Sequence, residues 1–352
     1  MRRQPPEARD YFLACYTVSL VQGETILGSP VRHSTIKNYL KAAQELIGKN
    51  VSCASQYQFT DTILKAVENY EEVPKRRRMI TDKMSRWLVE RAAGESRDSA
   101  ARAIVDWFIL GRYAGFRAAE WSQTTQGKYA RIEHWPGEPS RAFIRNDFTF
   151  LAEDERRLSS EDLSERLIGY LIITWRIQKN GQNGEQITFG RDDKSPAYSP
   201  TNAGFRIYER SKRLGMKDYE PMAVYRNSHG KVRFITDTMV NDLLRQAAST
   251  TLGIPRNNAE LKLWSTHSIR VTAANLLYRM QLSDQYIMTR LRWLSAAFLV
   301  YLRNTIHSAD AHTKAASIKL TPADKKRASY RNMDAVEKVV SMCTAAAPSV
   351  AH

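Results

Sequence analysis

The chain has 352 residues, 43% of them hydrophobic, which is long and apolar enough for packed cores in two domains. Lys and Arg outnumber Asp and Glu by 53 to 37, and the resulting charge of +16, spread along the chain, points to a polyanionic partner. Three widely spaced cysteines (Cys15, Cys53, Cys343) argue against a disulfide framework or a zinc finger and suit reduced, intracellular thiols, and no apolar run approaches membrane-spanning length.

Residues 11–21 are apolar but follow an acidic, proline-containing leader without a convincing cleavage site, so a buried helix is expected rather than a signal peptide. Ser34 and Thr35 are expected to cap a helix with Ile36, Tyr39, Leu40, Ala43, Leu46 and Ile47 at helical spacing. A further helix is expected over residues 60–70, with Ile63, Leu64, Val67 and Tyr70 on one face. Residues 1–72 therefore read as a small helical domain. Pro74, followed by Lys75, Arg76, Arg77 and Arg78, marks a basic linker over residues 73–80. That run can lie against phosphates, serve as a nuclear-import signal or stay solvated.

Residues 81–320 read as a larger domain and 321–352 as a tail. The first helices of the larger domain are dense in Ile, Val, Trp, Phe and Leu, break at Gly111 or Gly115 and resume at Phe116. There the phrase GFRAAEW places Arg117 and Glu120 three residues apart at the start of a new helix, a spacing that in isolation makes a surface ion pair worth little. β-Branched and aromatic density predicts strands over residues 142–150, 167–178 and 186–189. Two Asn-Gly dipeptides between the last two strands offer the left-handed backbone of a tight hairpin, with Lys179 where the strand enters the turn. A helix over 201–214 carries Arg206, Arg210, Lys212 and Arg213 and can lie along a nucleic-acid backbone. A second, over 238–251, is amphipathic and expected in the core, and His229 is expected in a solvated turn.

The most informative stretch is residues 264–304. His267 and Arg270, three apart, project from one helix face, and a guanidinium fork beside an imidazole suits an anion, above all a phosphate. Trp293 follows, and then Tyr301 among apolar neighbours, which is either a core residue or a nucleophile.

His-x-x-Arg, then Trp, then Tyr, preceded far upstream by Arg117 with Glu120 and by Lys179 on a hairpin, resembles the tyrosine recombinases of the phage-integrase family. The phrase STIKNYLKAAQELIG resembles their N-terminal core-binding domain, and RAAEW resembles integrases of eukaryotic, Crypton-like mobile elements. Two positions depart from the family pattern: Tyr301 follows Trp293 by eight residues, one fewer than is commonest, and Arg292 stands where glycine is usual.

The resemblance implies a mainly α fold with a small antiparallel β-sheet (α+β), in which a helical core-binding domain and a catalytic domain clamp double-stranded DNA. It implies Tyr301 as nucleophile, Arg117, Arg270, His267 and Trp293 around the phosphate, Lys179 as general acid, and Glu120 holding the cations. Neither cofactor, metal nor ATP is implied, because the covalent link preserves the phosphodiester energy. The expected assembly is a homo-multimer on DNA, a dimer per site and a tetramer in synapsis, inside the cell and in the nucleus of a eukaryotic host. Residues 333–343 can form an amphipathic helix that docks on a neighbouring protomer or on its own chain. A type IB topoisomerase, a telomere resolvase or a domesticated DNA-binding protein without catalysis remain alternatives.

Overall fold

The computed structural model describes residues 5–25, 28–47, 57–71, 76–122, 142–178, 181, 183–293 and 299. The chain divides into two compact units, Met1–Lys75 and Arg76–His352. Lys75, Lys179, Tyr301 and the tail at 321–352 lie outside the described residues. The described architecture is mainly helical with a small antiparallel sheet.

The first unit holds α1 (Pro6–Gln22), α2 (His33–Ile47) and α3 (Gln58–Tyr70). Leu13 and Leu20 of α1, Ile36 and Leu40 of α2, and Tyr57 and Leu64 form its buried core, so the apolar run at 11–21 is a packed helix. The opposite face of α1 is less hidden: Tyr11 and Phe12 are exposed. Helix α2 begins one position before the expected caps. The amides of Thr35 and Ile36 both donate to the Arg32 carbonyl, which places Ser34 and Thr35 inside the first turn. Helix α3 is capped from α1 instead of by a neighbour in sequence: the buried Asp10 carboxylate accepts from the amides of Phe59 (2.8 Å) and Thr60 (3.0 Å) and from the Thr60 hydroxyl (2.6 Å). Those bonds satisfy two of the open amides of a helix start and the buried charge together.

The second unit opens with α4 (Asp82–Ala93) and α5 (Ala100–Ala114), whose first turns are capped by the hydroxyls of Thr81 and Ser99. Nearly all of α5 is buried, which its density of large apolar residues demands. Around it sits an aromatic cluster in which Trp107 stacks on Trp121 (5.4 Å between ring centres) and Phe143 meets Phe116 (5.1 Å) and Trp175 (5.5 Å).

Strands β1 (Phe148–Leu151), β2 (Tyr170–Trp175) and β3 (Glu185–Gly190) form an antiparallel sheet in that order. Leu171 pairs with Phe150 and Phe189, and Ile173 with Ile187, so the inward residues of all three strands meet on one face. Strand β1 is shorter than the run 142–150. The Asp147 carboxylate accepts the Ile144 amide at 2.9 Å and folds Arg145–Asp147 into a 3-10 turn before the strand begins. The β2–β3 turn closes through the Gly184 amide on the Trp175 carbonyl at 2.7 Å, with φ of +75° at Gly181 and +83° at Gly184, the left-handed backbone expected of the Asn-Gly pairs.

Helix α6 (Pro200–Arg213) packs beside β2 and α5. A short hairpin of β4 (Val224–Arg226) and β5 (Val232–Phe234) leads to α7 (Asp237–Leu252), and His229 is exposed in the turn of that hairpin. After a 3-10 segment, Ala259–Leu263, come α8 (Thr266–Arg279) and α9 (Asp284–Arg290). The beginning of this unit runs against that 3-10 segment. Arg78 donates its amide to the Leu263 carbonyl (3.1 Å), pairs with Glu260 and lies over the Trp264 ring, whose indole N–H donates to the Met79 carbonyl (3.1 Å).

Candidate active site

Helix α5 stops at Gly115, whose φ of +59° is open to glycine at no steric cost, and the chain turns sharply into Arg117. The helix expected to resume at Phe116 is a single 3-10 turn, Ala118–Glu120, within the described residues. The turn is closed by the Glu120 carboxylate, which accepts from the Arg117 amide (2.9 Å) and from Arg117 Nη1 (3.0 Å). This pair is not the bland surface bridge its spacing suggests. The Glu120 side chain is 6% exposed, and it also accepts from Trp175 Nε1 (3.3 Å) and Arg292 Nη2 (3.2 Å). A carboxylate held by so many donors is fixed in place as well as compensated.

Helix α8 supplies His267 and Arg270. Arg270 is buried: Nη1 donates to the Gly115 carbonyl, Nη2 donates to the Leu291 carbonyl at 2.6 Å, and the guanidinium lies 4.9 Å from the centre of the Trp293 ring. Arg117 Nη2 donates to the next carbonyl, that of Arg292, at 3.4 Å. The two arginines thus grip consecutive peptide units of the segment that leads into Trp293. His267 is exposed at the start of α8, yet its imidazole is held below the usual histidine range, first by desolvation and then by the charges of Arg270 and Arg77. Both causes favour the neutral form, in which one nitrogen donates and the other accepts.

Trp175 and Arg292 were not singled out as site residues by the sequence. In the sequence Trp175 is one residue of the strand expected over 167–178, and Arg292 stands out only as a departure from the family pattern. Arg292 is fully buried, donates from Nη1 to the Ala114 carbonyl (3.1 Å), and lies 3.7 Å from the centre of the Trp175 ring. Burial pushes its guanidinium down to about 10, with the Glu120 carboxylate opposing the shift, so it is charged at neutral pH. Trp175, at the end of β2 and four residues before Lys179 in sequence, is thereby tied to the Arg117–Glu120 turn.

The basic residues expected along a nucleic-acid backbone divide. Arg206 Nε donates to buried Asp106 at 2.6 Å, and Arg210, 2% exposed, pairs with the same carboxylate. Arg213 Nε reaches Asp98 at 3.2 Å. These three arginines of α6 pair with carboxylates of the same unit; Arg210 is buried, whereas the Arg206 and Arg213 side chains stay 22% and 28% exposed. Lys212 is exposed, with Nζ 3.5 Å from the Ser160 carbonyl. Arg76, Arg77 and Arg78 are exposed as well. Arg77 donates to the Lys262 carbonyl, just ahead of α8 and His267.

Among the described residues no group of three or more His, Cys, Asp or Glu side chains is placed to hold a metal ion, and no helix is long and apolar enough to cross a membrane. What the site offers is concentrated, permanent positive charge braced by one buried carboxylate, beside an imidazole and an indole.

No family model matches the chain, and no curated protein matches it. Among solved structures it is similar to the XerH site-specific recombinase bound to difH substrate, at 13% identity over 88% of this chain and 79% of that one, with a TM-score of 0.40. It is also similar to the Tn1549 transposon integrase in complex with circular intermediate DNA (12% identity, 88% and 86%, TM-score 0.41). A third is a lambda integrase dimer bound to a COC' core site (13% identity, 83% and 88%, TM-score 0.37).

Proposed function

We propose that this chain is a tyrosine recombinase that cleaves and rejoins DNA strands through a 3′-phosphotyrosyl intermediate. The observation that carries the reading is the meeting of Arg117 and Arg270 on the consecutive carbonyls of Arg292 and Leu291, next to Trp293 and with His267 in the field of Arg270. These contacts, which join residues far apart in sequence, are what support the reading.

In this scheme the Tyr301 oxygen attacks the phosphorus, a P–O bond to tyrosine forms, and the P–O5′ bond breaks. The tyrosine hydroxyl, whose ordinary pKa is about 10, gives its proton to solvent water as the local positive field stabilises the phenolate. Arg117 and Arg270 stay charged at any relevant pH. Arg117, 26% exposed, donates to the non-bridging oxygens, while Arg270, buried with both terminal nitrogens on the Gly115 and Leu291 carbonyls, adds its field from behind and holds the Trp293 segment. His267 and the Trp293 indole N–H donate further hydrogen bonds. Lys179 gives a proton to the leaving 5′ oxygen. A 5′ hydroxyl of a second strand reverses the step and completes exchange. The roles of Tyr301 and Lys179 rest on sequence position, and the Crypton-like origin, the multimer on DNA and a location inside the cell, nuclear in a eukaryotic host, belong to the same proposal.

The test is a nicked suicide duplex carrying a binding sequence selected from random DNA, incubated in EDTA with wild type and with Tyr301→Phe. A covalent protein–DNA band on a denaturing gel that vanishes in the variant supports the proposal. Specific binding without a band favours a DNA-binding protein without catalysis, and a band that persists in Tyr301→Phe assigns the nucleophile elsewhere. Exchange between two sites separates a recombinase from a topoisomerase.

A further inference from the structure

Position 292 combines two costly features. Its backbone is left-handed, with φ of +55°, a conformation disfavoured for any residue with a Cβ, and its charged side chain is fully buried. Such a residue persists where its surroundings hold it in place. The Arg292 guanidinium donates to the Ala114 carbonyl and to Glu120, and its face covers the Trp175 ring. Trp175 donates to the same Glu120 oxygen, Oε2, and Arg117 holds Glu120 through both its amide and Nη1. The Arg292 carbonyl in turn accepts from Arg117 Nη2. Arg292 therefore reaches Arg117 by two routes, one through the Glu120 carboxylate and one through its own backbone, and Trp293 is its immediate neighbour.

We propose that Arg292 is a positioning residue for strand transfer: its guanidinium locks Glu120 against Trp175, and its left-handed backbone sets Trp293 against Arg270, so that Arg117 is held at one orientation. This rests on the function proposed above. Arg292 touches no substrate in this scheme, and its effect is carried by Glu120, Arg117 and Trp293.

Three variants of the full chain test it. Arg292→Gly suits the backbone and deletes the guanidinium, Arg292→Lys keeps a charge without the planar fork, and Trp175→Phe keeps a ring without the N–H. Each is followed by urea unfolding, DNA affinity, single-turnover adduct formation and the ¹⁵N-indole spectrum, in which the Trp175 N–H is assigned from its absence in Trp175→Phe. Folded Arg292→Gly is expected to bind DNA as wild type does and to form the adduct more slowly by on the order of a hundredfold, as a displaced catalytic group would. The Trp175 indole resonance shifts in the same variant, and Arg292→Lys falls between the two. If Arg292→Gly does not fold, Arg292→Lys and Trp175→Phe carry the test through the same split between affinity and rate.

Variants that cleave at the wild-type rate, or lose cleavage only in step with DNA affinity, overturn the proposal and leave the function standing. A wild type that forms no adduct overturns the function, and this proposal with it.

Discussion

Arg117 and Arg270 donate to adjacent peptide carbonyls, those of Arg292 (3.4 Å) and Leu291 (2.6 Å). A lysine at 270 has one ammonium in place of a planar fork and cannot reach both the Gly115 and Leu291 carbonyls with the same geometry. Arg270→Lys is expected to cost about 1–3 kcal/mol of stability, the penalty of an unsatisfied buried acceptor. Adduct formation should fall by on the order of a hundredfold, as for a displaced catalytic group, because the segment leading into Trp293 loses one of its two grips. Urea unfolding and single-turnover cleavage check the two numbers, and a folded variant with unchanged cleavage would remove Arg270 from the site.

Gly115 joins α5 to the Arg117 turn, and a Cβ there would stand 2.7 Å from Leu291 Cδ2 with φ of +59°. Gly115→Ala is expected to cost about 1–2 kcal/mol for the left-handed backbone, with overpacking adding roughly 1–3 kcal/mol. Because Leu291 is buried and precedes Arg292, cleavage should fall along with stability. A denaturation midpoint equal to wild type would show that this turn relaxes freely.

The inward arginines of α6 can be told from outward ones by salt. Asp106→Ala leaves Arg210 buried without its carboxylate and should cost about 3–5 kcal/mol. Arg77→Gln, by contrast, should leave stability alone and lower the salt slope of DNA binding by about one. An Arg210→Gln variant that lowers that slope as Arg77→Gln does would return α6 to the DNA-facing surface.

His267 lies below its ordinary value of 6.5 in the folded chain. The unfolded chain therefore binds more protons between the folded value and 6.5, so the contribution of this group to stability is complete above about 6.5 and is lost as pH falls through that window. An NMR titration of the free protein should find the His267 inflection below 6.5. Arg77→Gln should raise it partway only, because desolvation is the larger cause. A phosphate bound beside it should raise it too. An inflection at or above 6.5 without DNA would contradict the environment described.

Helical periodicity finds α2, α3 and α7, because each buries a stripe of its own residues, and apolar density finds α5, which is buried almost throughout. Boundaries were lost where the deciding partner is distant in sequence. Asp10 caps α3 from 49 residues away, and Asp147 shortens β1 by folding the residues before it. The β4–β5 hairpin was missed because strands of three residues are too short to show an alternation. The site was legible as chemistry and not as geometry. His267 and Arg270 stand out by residue type and spacing, and Arg117 and Glu120 only through the family resemblance, but nothing local tells Arg206 from a phosphate-binding arginine when its partner is Asp106, 100 residues earlier. Arg292 was visible only as an unexpected residue, since the Glu120 carboxylate it meets lies 172 residues upstream.

The strap at residues 76–80 sets where this molecule can be cut. Arg78 covers Trp264, the Met79 carbonyl accepts its indole N–H, and the Ile80 amide donates to Thr272 in the middle of α8 at 2.8 Å. A fragment begun at Thr81 would lose all three and bare a tryptophan that is 1% exposed at the foot of the helix carrying His267. A fragment begun at Arg76 keeps them, so a second unit with its contacts intact starts inside the basic run and not after it.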